Sequence, residues 1–226
     1  MNGYDLIIFD YDGVVADSEL LNNRVLAEVL TEAGLPTTPD ESIAAYLGRR
    51  WLDCVPLIEG RLGGRIPVHV HSDWSRRCHE RAATDLAPVP GFLDFLASRT
   101  ERRCIASSSP VAWIEMGLDR FGVAETFDGP IFSAAVHVTR GKPHPDLFLH
   151  AADAMGVEPA RALVIEDTTT GVRAGAAAGM TVIGLLAGGH VRDGHAEQLT
   201  AAGAHHVLPD YAAITAFLTT NPGERR

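Results

Sequence analysis

Two short apolar runs end in paired acids, and this restricts the chain to a narrow set of folds. Leu6–Phe9 runs into Asp10-Tyr11-Asp12-Gly13, and Ala162–Ile165 runs into Glu166-Asp167. A β-branched apolar run without polar alternation needs burial on both faces, the condition of a strand inside a parallel sheet. Cys104–Ala106, Pro130–Phe132 and Thr181–Leu185 have the same character. Helical patterns over Val111–Phe121, Pro145–Met155 and Thr170–Ala178 lie between them, the last followed by Gly179 where a helix would close. The alternation predicts an α/β fold, a doubly wound parallel sheet whose ligands gather at the carboxyl ends of the strands.

One interval breaks the rhythm. Roughly eighty residues separate the first strand from the second, far beyond an ordinary crossover connection. Leu20, Leu21, Val25, Leu26, Val29 and Leu30 recur at helical spacing ahead of Gly34, and further helical patterns cover Ser42–Leu47, Leu52–Leu62 and His71–Asp85. These predict a small α-helical domain over residues 16–89, inserted into an α/β core of residues 1–15 and 90–220. Pro88, Pro90 and Gly91 mark the return to the core, and 221–226 reads as a frayed tail.

Charge narrows the partners. The formal balance, 19 − 29 = −10, with no run of basic residues, disfavours nucleic acid and anionic membrane surfaces. No stretch approaches the ~20 apolar residues of a membrane span, and the start of the chain lacks the pattern of a secretion signal. Cys54, Cys78 and Cys104 show no paired spacing, and an odd count leaves a free thiol, as in a reducing, cytoplasmic setting. The expected state is a monomer or weak homo-oligomer. The histidines, including the pairs His69/His71 and His205-His206, lack the companions of a zinc site and are expected at the surface or in loops. Trp74 and Trp113 are expected to pack in the core or at a domain interface.

The residues able to do chemistry fall in four places. Asp10 and Asp12 stand where the first strand opens onto its loop, with Gly13 permitting a tight turn and Asp17, Ser18 and Glu19 suited to starting a helix. Glu166 and Asp167 either cap the following helix or, if their strand neighbours the first, join Asp10 in an oxygen-rich cluster suited to Mg²⁺. Eighteen of the 19 basic residues are arginine, and Lys142 is the one lysine; either chance placed it or the site needs a compact ammonium. Ser107-Ser108-Ser109-Pro110 either caps a helix or offers hydroxyls and N–H groups to an anion.

Taken together, Asp10-x-Asp12-Gly-Val-Val-x-Asp17-Ser18-Glu19, Ser107 after the second strand, Lys142 in Lys-Pro-x-Pro-Asp, and Glu166-Asp167-x-x-x-Gly171 resemble the haloacid dehalogenase superfamily. More narrowly, they resemble its β-phosphoglucomutase-like phosphatases. The resemblance implies that Asp10 is a nucleophile and Asp12 the acid to the leaving oxygen and then base to water. It implies Mg²⁺ held by Asp10, the Asp12 carbonyl and Asp167, with Glu166 direct or through water. Ser107 would bond the phosphoryl oxygens and Lys142 would offset their charge.

Three carboxylates against Mg²⁺ and Lys142 balance, so an arriving phosphate dianion needs further donors, for which backbone N–H groups around Asp12 and Ser108 are candidates. The inserted domain offers Gly48-Arg49-Arg50, which either faces the site when the insertion closes or lies on a solvated helix face.

Trp51 stands about where the mutases carry a cap arginine, and their other cap cation would fall near Ser72, with Arg76 and Arg77 only nearby. That departure favours a phosphatase of a small sugar or polyol phosphate over a sugar phosphomutase; a silent binding protein on the same fold is a further alternative. Asp12 argues against a dehalogenase, and an insertion without lysine argues against a phosphonatase. Tyr11 should point away from the nucleophile by strand alternation. A pocket-lining role for Trp51 is a further possibility.

Overall fold

A computed structural model describes residues 3–47 and 51–220. The chain divides into two compact units, Met1–Asp17 with Ala87–Arg226, and Ser18–Leu86. The chain leaves and re-enters the first unit side by side. Asp17 N–H donates to the Ala87 carbonyl and Val89 N–H to that of Val15, both at 2.9 Å, and Ala16 bridges Pro88. The first unit thus runs two residues past position 15 and resumes three residues before position 90.

The first unit opens with β1 (Leu6–Phe9). The second then supplies α1 (Ser18–Glu32), α2 (Pro39–Tyr46), α3 (Trp51–Leu62) and α4 (His69–Asp85). The first resumes with α5 (Phe92–Ser98), β2 (Arg102–Ser107), α6 (Val111–Phe121), β3 (Ile131–Ser133), α7 (Ala134–His137), α8 (Asp146–Ala154), β4 (Ala162–Glu166), α9 (Thr169–Ala177), β5 (Thr181–Leu185), α10 (His195–Ala202), β6 (His206–Leu208) and α11 (Tyr211–Thr220). The strands form one parallel sheet in the order β3-β2-β1-β4-β5-β6. This is a doubly wound α/β fold with its switch at β1, where successive crossovers turn from one side of the sheet to the other. Every residue of β1 and β4 is buried, as their unbroken apolar runs require.

In the helical unit, α1 turns Val25, Leu26, Val29 and Leu30 inward and packs on α2 and α4. Thr38 and Glu41 close a reciprocal capping box on α2, with Pro39 in its first turn. Arg77 and Arg81 of α4 fork onto Glu32 and Glu28 of α1. Trp74, expected in the core or at a domain interface, is half-buried within the helical unit, where it donates to the Asn22 carbonyl at 3.0 Å and stacks its ring on Trp51. No described helix is long and apolar enough to cross a membrane, and the three cysteines are buried and outside any disulfide.

Candidate active site

Register brings the two acidic pairs together. Phe9 lies opposite Ile165, so the next positions on adjacent strands, Asp10 and Glu166, leave the sheet side by side. Asp10, Glu166 and Asp167 are buried, and one ligand oxygen from each lies within 4.8 Å of the others. The helix-cap alternative for the second pair fails for a local reason: Thr168 caps α9, its hydroxyl accepting from Gly171 N–H.

Lys142 reaches this cluster from the loop before α8. Its Nζ donates to Asp10 Oδ1 and Glu166 Oε1, each at 2.7 Å, and lies 4.8 Å from the centre of the Phe148 ring. Glu166 is saturated by protein donors, since Oε2 accepts from the N–H groups of Asp167 and Thr168 and from the Thr168 hydroxyl. Gly171 allows this packing, because a Cβ there would fall on the Glu166 carboxylate.

Asp167 is in the opposite condition. Neither carboxylate oxygen has an aligned hydrogen-bond donor among the described residues, although His190 Nε2 lies 2.9 Å from Oδ2. Gly13 closes over it at φ +77°, where a Cβ would collide with both Asp167 and His190. Buried carboxylates left short of donors are costly. Burial pushes the Asp10 carboxyl well above its ordinary range; Lys142 opposes the shift, and Glu166 and Asp167 add to it. Burial, then Glu166, pushes Asp167 the same way. Burial opposes charge on Lys142, but Asp10 and Glu166 outweigh it and raise its pKa. An all-oxygen cluster with one ammonium against three acids and an unsatisfied carboxylate fits a hard divalent cation.

Asp12 is tied to the start of α6: Ser109 Oγ donates to Oδ2 at 2.5 Å and Trp113 Nε1 to Oδ1 at 3.1 Å. The serine cluster therefore does not cap α6 through a side chain. Pro110 occupies the cap position, Ser107 Oγ accepts Ser109 N–H at 3.1 Å, and Ser108 is exposed. Ser107 is buried at the end of β2. Trp113 is buried as a packing residue would be, yet its polar edge is directed at the acid. A helix begins at Ser18 with Glu19 in its first turn, as expected, and the carboxylate of Asp17 just before it accepts the Gly189 N–H at 3.0 Å.

Sequence reasoning missed His190. It lies in a loop, as expected of the histidines, but is buried; His69, His71 and His205 are exposed. Its loop is pinned again where His195 Nε2 meets the Asp167 carbonyl at 2.7 Å. No spacing rule marks a loop histidine as an acid's neighbour; only the fold does. Gly48, Arg49 and Arg50 lie outside the described residues, and Trp51 is half-buried at the start of α3.

Comparisons with known proteins agree with this arrangement. The family model of haloacid dehalogenase-like hydrolases matches residues 4–179. The fructose-1-phosphate phosphatase YqaB of Escherichia coli strain K12 is 31% identical over 182 residues, covering 80% of this chain and 95% of its own. A haloacid dehalogenase-like protein of unknown function from Agrobacterium tumefaciens superposes with a TM-score of 0.88 at 34% identity, covering 96% of this chain and 99% of its own. A family hydrolase from Deinococcus radiodurans, solved with phosphate and sodium, superposes with a TM-score of 0.80 at 32% identity, covering 97% of each chain. With the paired acids, the lysine and the sheet order in their places, the chain belongs to the haloacid dehalogenase-like hydrolases.

Proposed function

We propose that this protein is a Mg²⁺-dependent phosphatase of a small sugar or polyol phosphate, working through an aspartyl-phosphate on Asp10. The observation that carries the reading is the buried cluster in which Lys142 joins Asp10 to Glu166 while Asp167 lacks aligned donors. Its relative YqaB is named for hydrolysis of a sugar phosphate.

In this reading an oxygen of Asp10 attacks phosphorus and the ester oxygen leaves, taking a proton from Asp12. Asp12 then takes a proton from the water that attacks phosphorus, and the Asp10–phosphorus bond breaks. Asp10, Asp167 and the Asp12 carbonyl would hold Mg²⁺, with Glu166 acting through water because protein donors already engage its oxygens. When bound, the cation supplies positive charge against the phosphoryl oxygens. Lys142, Ser107 and the N–H of Ser108 would add donors, and the helical unit, with Gly48, Arg49 and Arg50, would cap the site and select the substrate. Three buried cysteines outside any disulfide agree with a cytoplasmic setting.

The test is a screen of sugar, polyol and nucleotide monophosphates with and without Mg²⁺, reading inorganic phosphate and isomerised sugar separately. Phosphate release from a sugar or polyol ester only with the cation is expected. Isomerisation without release, or no turnover of any ester, would overturn the reading.

A further inference from the structure

Among the described residues, Ser109 and Trp113 hold the Asp12 carboxylate as donors of different kinds. The Trp113 indole N–H can only donate, whereas the Ser109 hydroxyl can donate or accept. Trp113 is rigidly placed, 5% exposed and in the first turn of α6. Ser109 is half-buried, and its carbonyl is fixed by the Ser133 hydroxyl at 2.7 Å. Oδ1 is therefore an acceptor for as long as Trp113 is seated. Oδ2 faces a partner whose O–H can turn away.

We propose that Trp113 is a positioning residue that reserves Asp12 Oδ1 as an acceptor and leaves Oδ2, on the Ser109 side, as the oxygen that exchanges protons with the leaving group and with water. The inference rests on the phosphatase reading of Asp12. In the first step the proton on Oδ2 passes to the ester oxygen as its bond to phosphorus breaks and the bond from Asp10 forms. In the second step Oδ2 receives a proton from the attacking water as the Asp10 bond to phosphorus breaks. Ser109 donates to Oδ2 while that oxygen is deprotonated, as in the structure, and turns its own O–H away when Oδ2 carries the proton that faces the ester oxygen.

The measurement is kcat/KM, which reports the steps through phosphoryl transfer to Asp10, for fructose-1-phosphate and for para-nitrophenyl phosphate. The aryl ester leaves as a stabilised anion and makes little demand on an acid. Trp113→Phe should lower kcat/KM for fructose-1-phosphate by roughly 10- to 100-fold, the range for losing a hydrogen bond to a charged group, and for the aryl ester by less than about 3-fold. Ser109→Ala should show the same split with a smaller loss. Trp113→His, which restores a ring N–H, should recover part of the sugar-phosphate activity.

A parallel loss on both esters would mean that Trp113 only packs and would overturn the proposal, as would a larger loss from Ser109→Ala than from Trp113→Phe. Asp12→Asn separates the layers. If it spares fructose-1-phosphate, the reading of Asp12 fails and the inference falls with it. If it alone discriminates between the esters, the reading stands and only the role of Trp113 is refuted.

Discussion

Lys142 and Glu166 form a buried ion pair, Nζ to Oε1 at 2.7 Å, in which the acid's other oxygen is filled by three donors of its own loop and the ammonium has a second acid, Asp10, at the same distance. The pair divides the labour of three carboxylates: Glu166 fastens the lysine, leaving Asp10 and Asp167 to face a ligand. Lys142→Met should therefore cost stability as well as turnover. Breaking a buried pair by removing one partner typically costs about 3–5 kcal/mol, because the other charge stays buried. Urea unfolding in chelator would measure it, and a loss below ~1 kcal/mol would contradict the pairing.

The raised carboxyls of Asp10 and Asp167 give the cation-free protein a characteristic pH dependence. Above the ordinary carboxylate range the native state holds protons that the unfolded chain has released, so stability falls as pH rises through that window. Asp5, Glu32, Glu41 and Asp146 are lowered by exposed partners and act in the opposite sense, but only as pH falls through and below the ordinary range. In chelator the thermal midpoint should drop as pH rises above the ordinary carboxylate range, opposed near the ordinary histidine range by the half-buried His195, whose pKa burial lowers, and Mg²⁺ should flatten the curve. A midpoint that climbs as pH leaves the ordinary carboxylate range without cation would contradict the assignment.

Asp10→Asn should reduce phosphate release by about 10³-fold or more, since an amide does not supply the carboxylate nucleophile. Unlike Lys142→Met, it removes one of three mutually repelling acids, so the cation-free midpoint should stay level or rise. Turnover and thermal unfolding on the same preparation check both halves, and a variant that unfolds would show that the Lys142–Asp10 contact is needed for folding.

What was legible in the sequence is what backbone chemistry writes locally. Leu6–Phe9 and Thr181–Leu185 read directly as strands because continuous apolar runs have few other uses, and both match the fold. The short strand His206–Leu208 did not, since it begins with a histidine and its residues are only half-buried at the sheet edge. Asp10 and Asp167 were found because each ends a readable strand. Trp113 and His190 were not, because their importance depends on the direction of a ring edge across the fold: Trp113 meets Asp12 from α6, and His190 meets Asp167 from the loop after β5. Composition and spacing carry no record of such directions.

Gly13→Ala tests how tightly the first loop closes over the acids. Its left-handed backbone costs a residue with a Cβ about 1–2 kcal/mol, and the added atom would meet the Asp167 carboxylate and the His190 ring. Stability should fall by more than the backbone cost alone, and activity should fall further because Asp167 is displaced. Denaturant unfolding with kinetics checks this; a variant of normal activity would mean the loop has slack.

His190 offers the sharpest test of the cation site. Its Nε2 lies 2.9 Å from Asp167 Oδ2, and Asp17 and His195 pin its loop at Gly189 N–H and at the Asp167 carbonyl. Residues that orient a ligand carboxylate commonly govern metal affinity by 10- to 100-fold. His190→Ala should weaken Mg²⁺ binding by about that factor while kcat at saturating Mg²⁺ stays within about threefold, because the residue acts through Asp167 and not on the ester. Calorimetric titration of the chelator-treated protein reads affinity without turnover. Unchanged affinity with a depressed kcat would place His190 on the substrate side, and unchanged values of both would reduce its burial to packing.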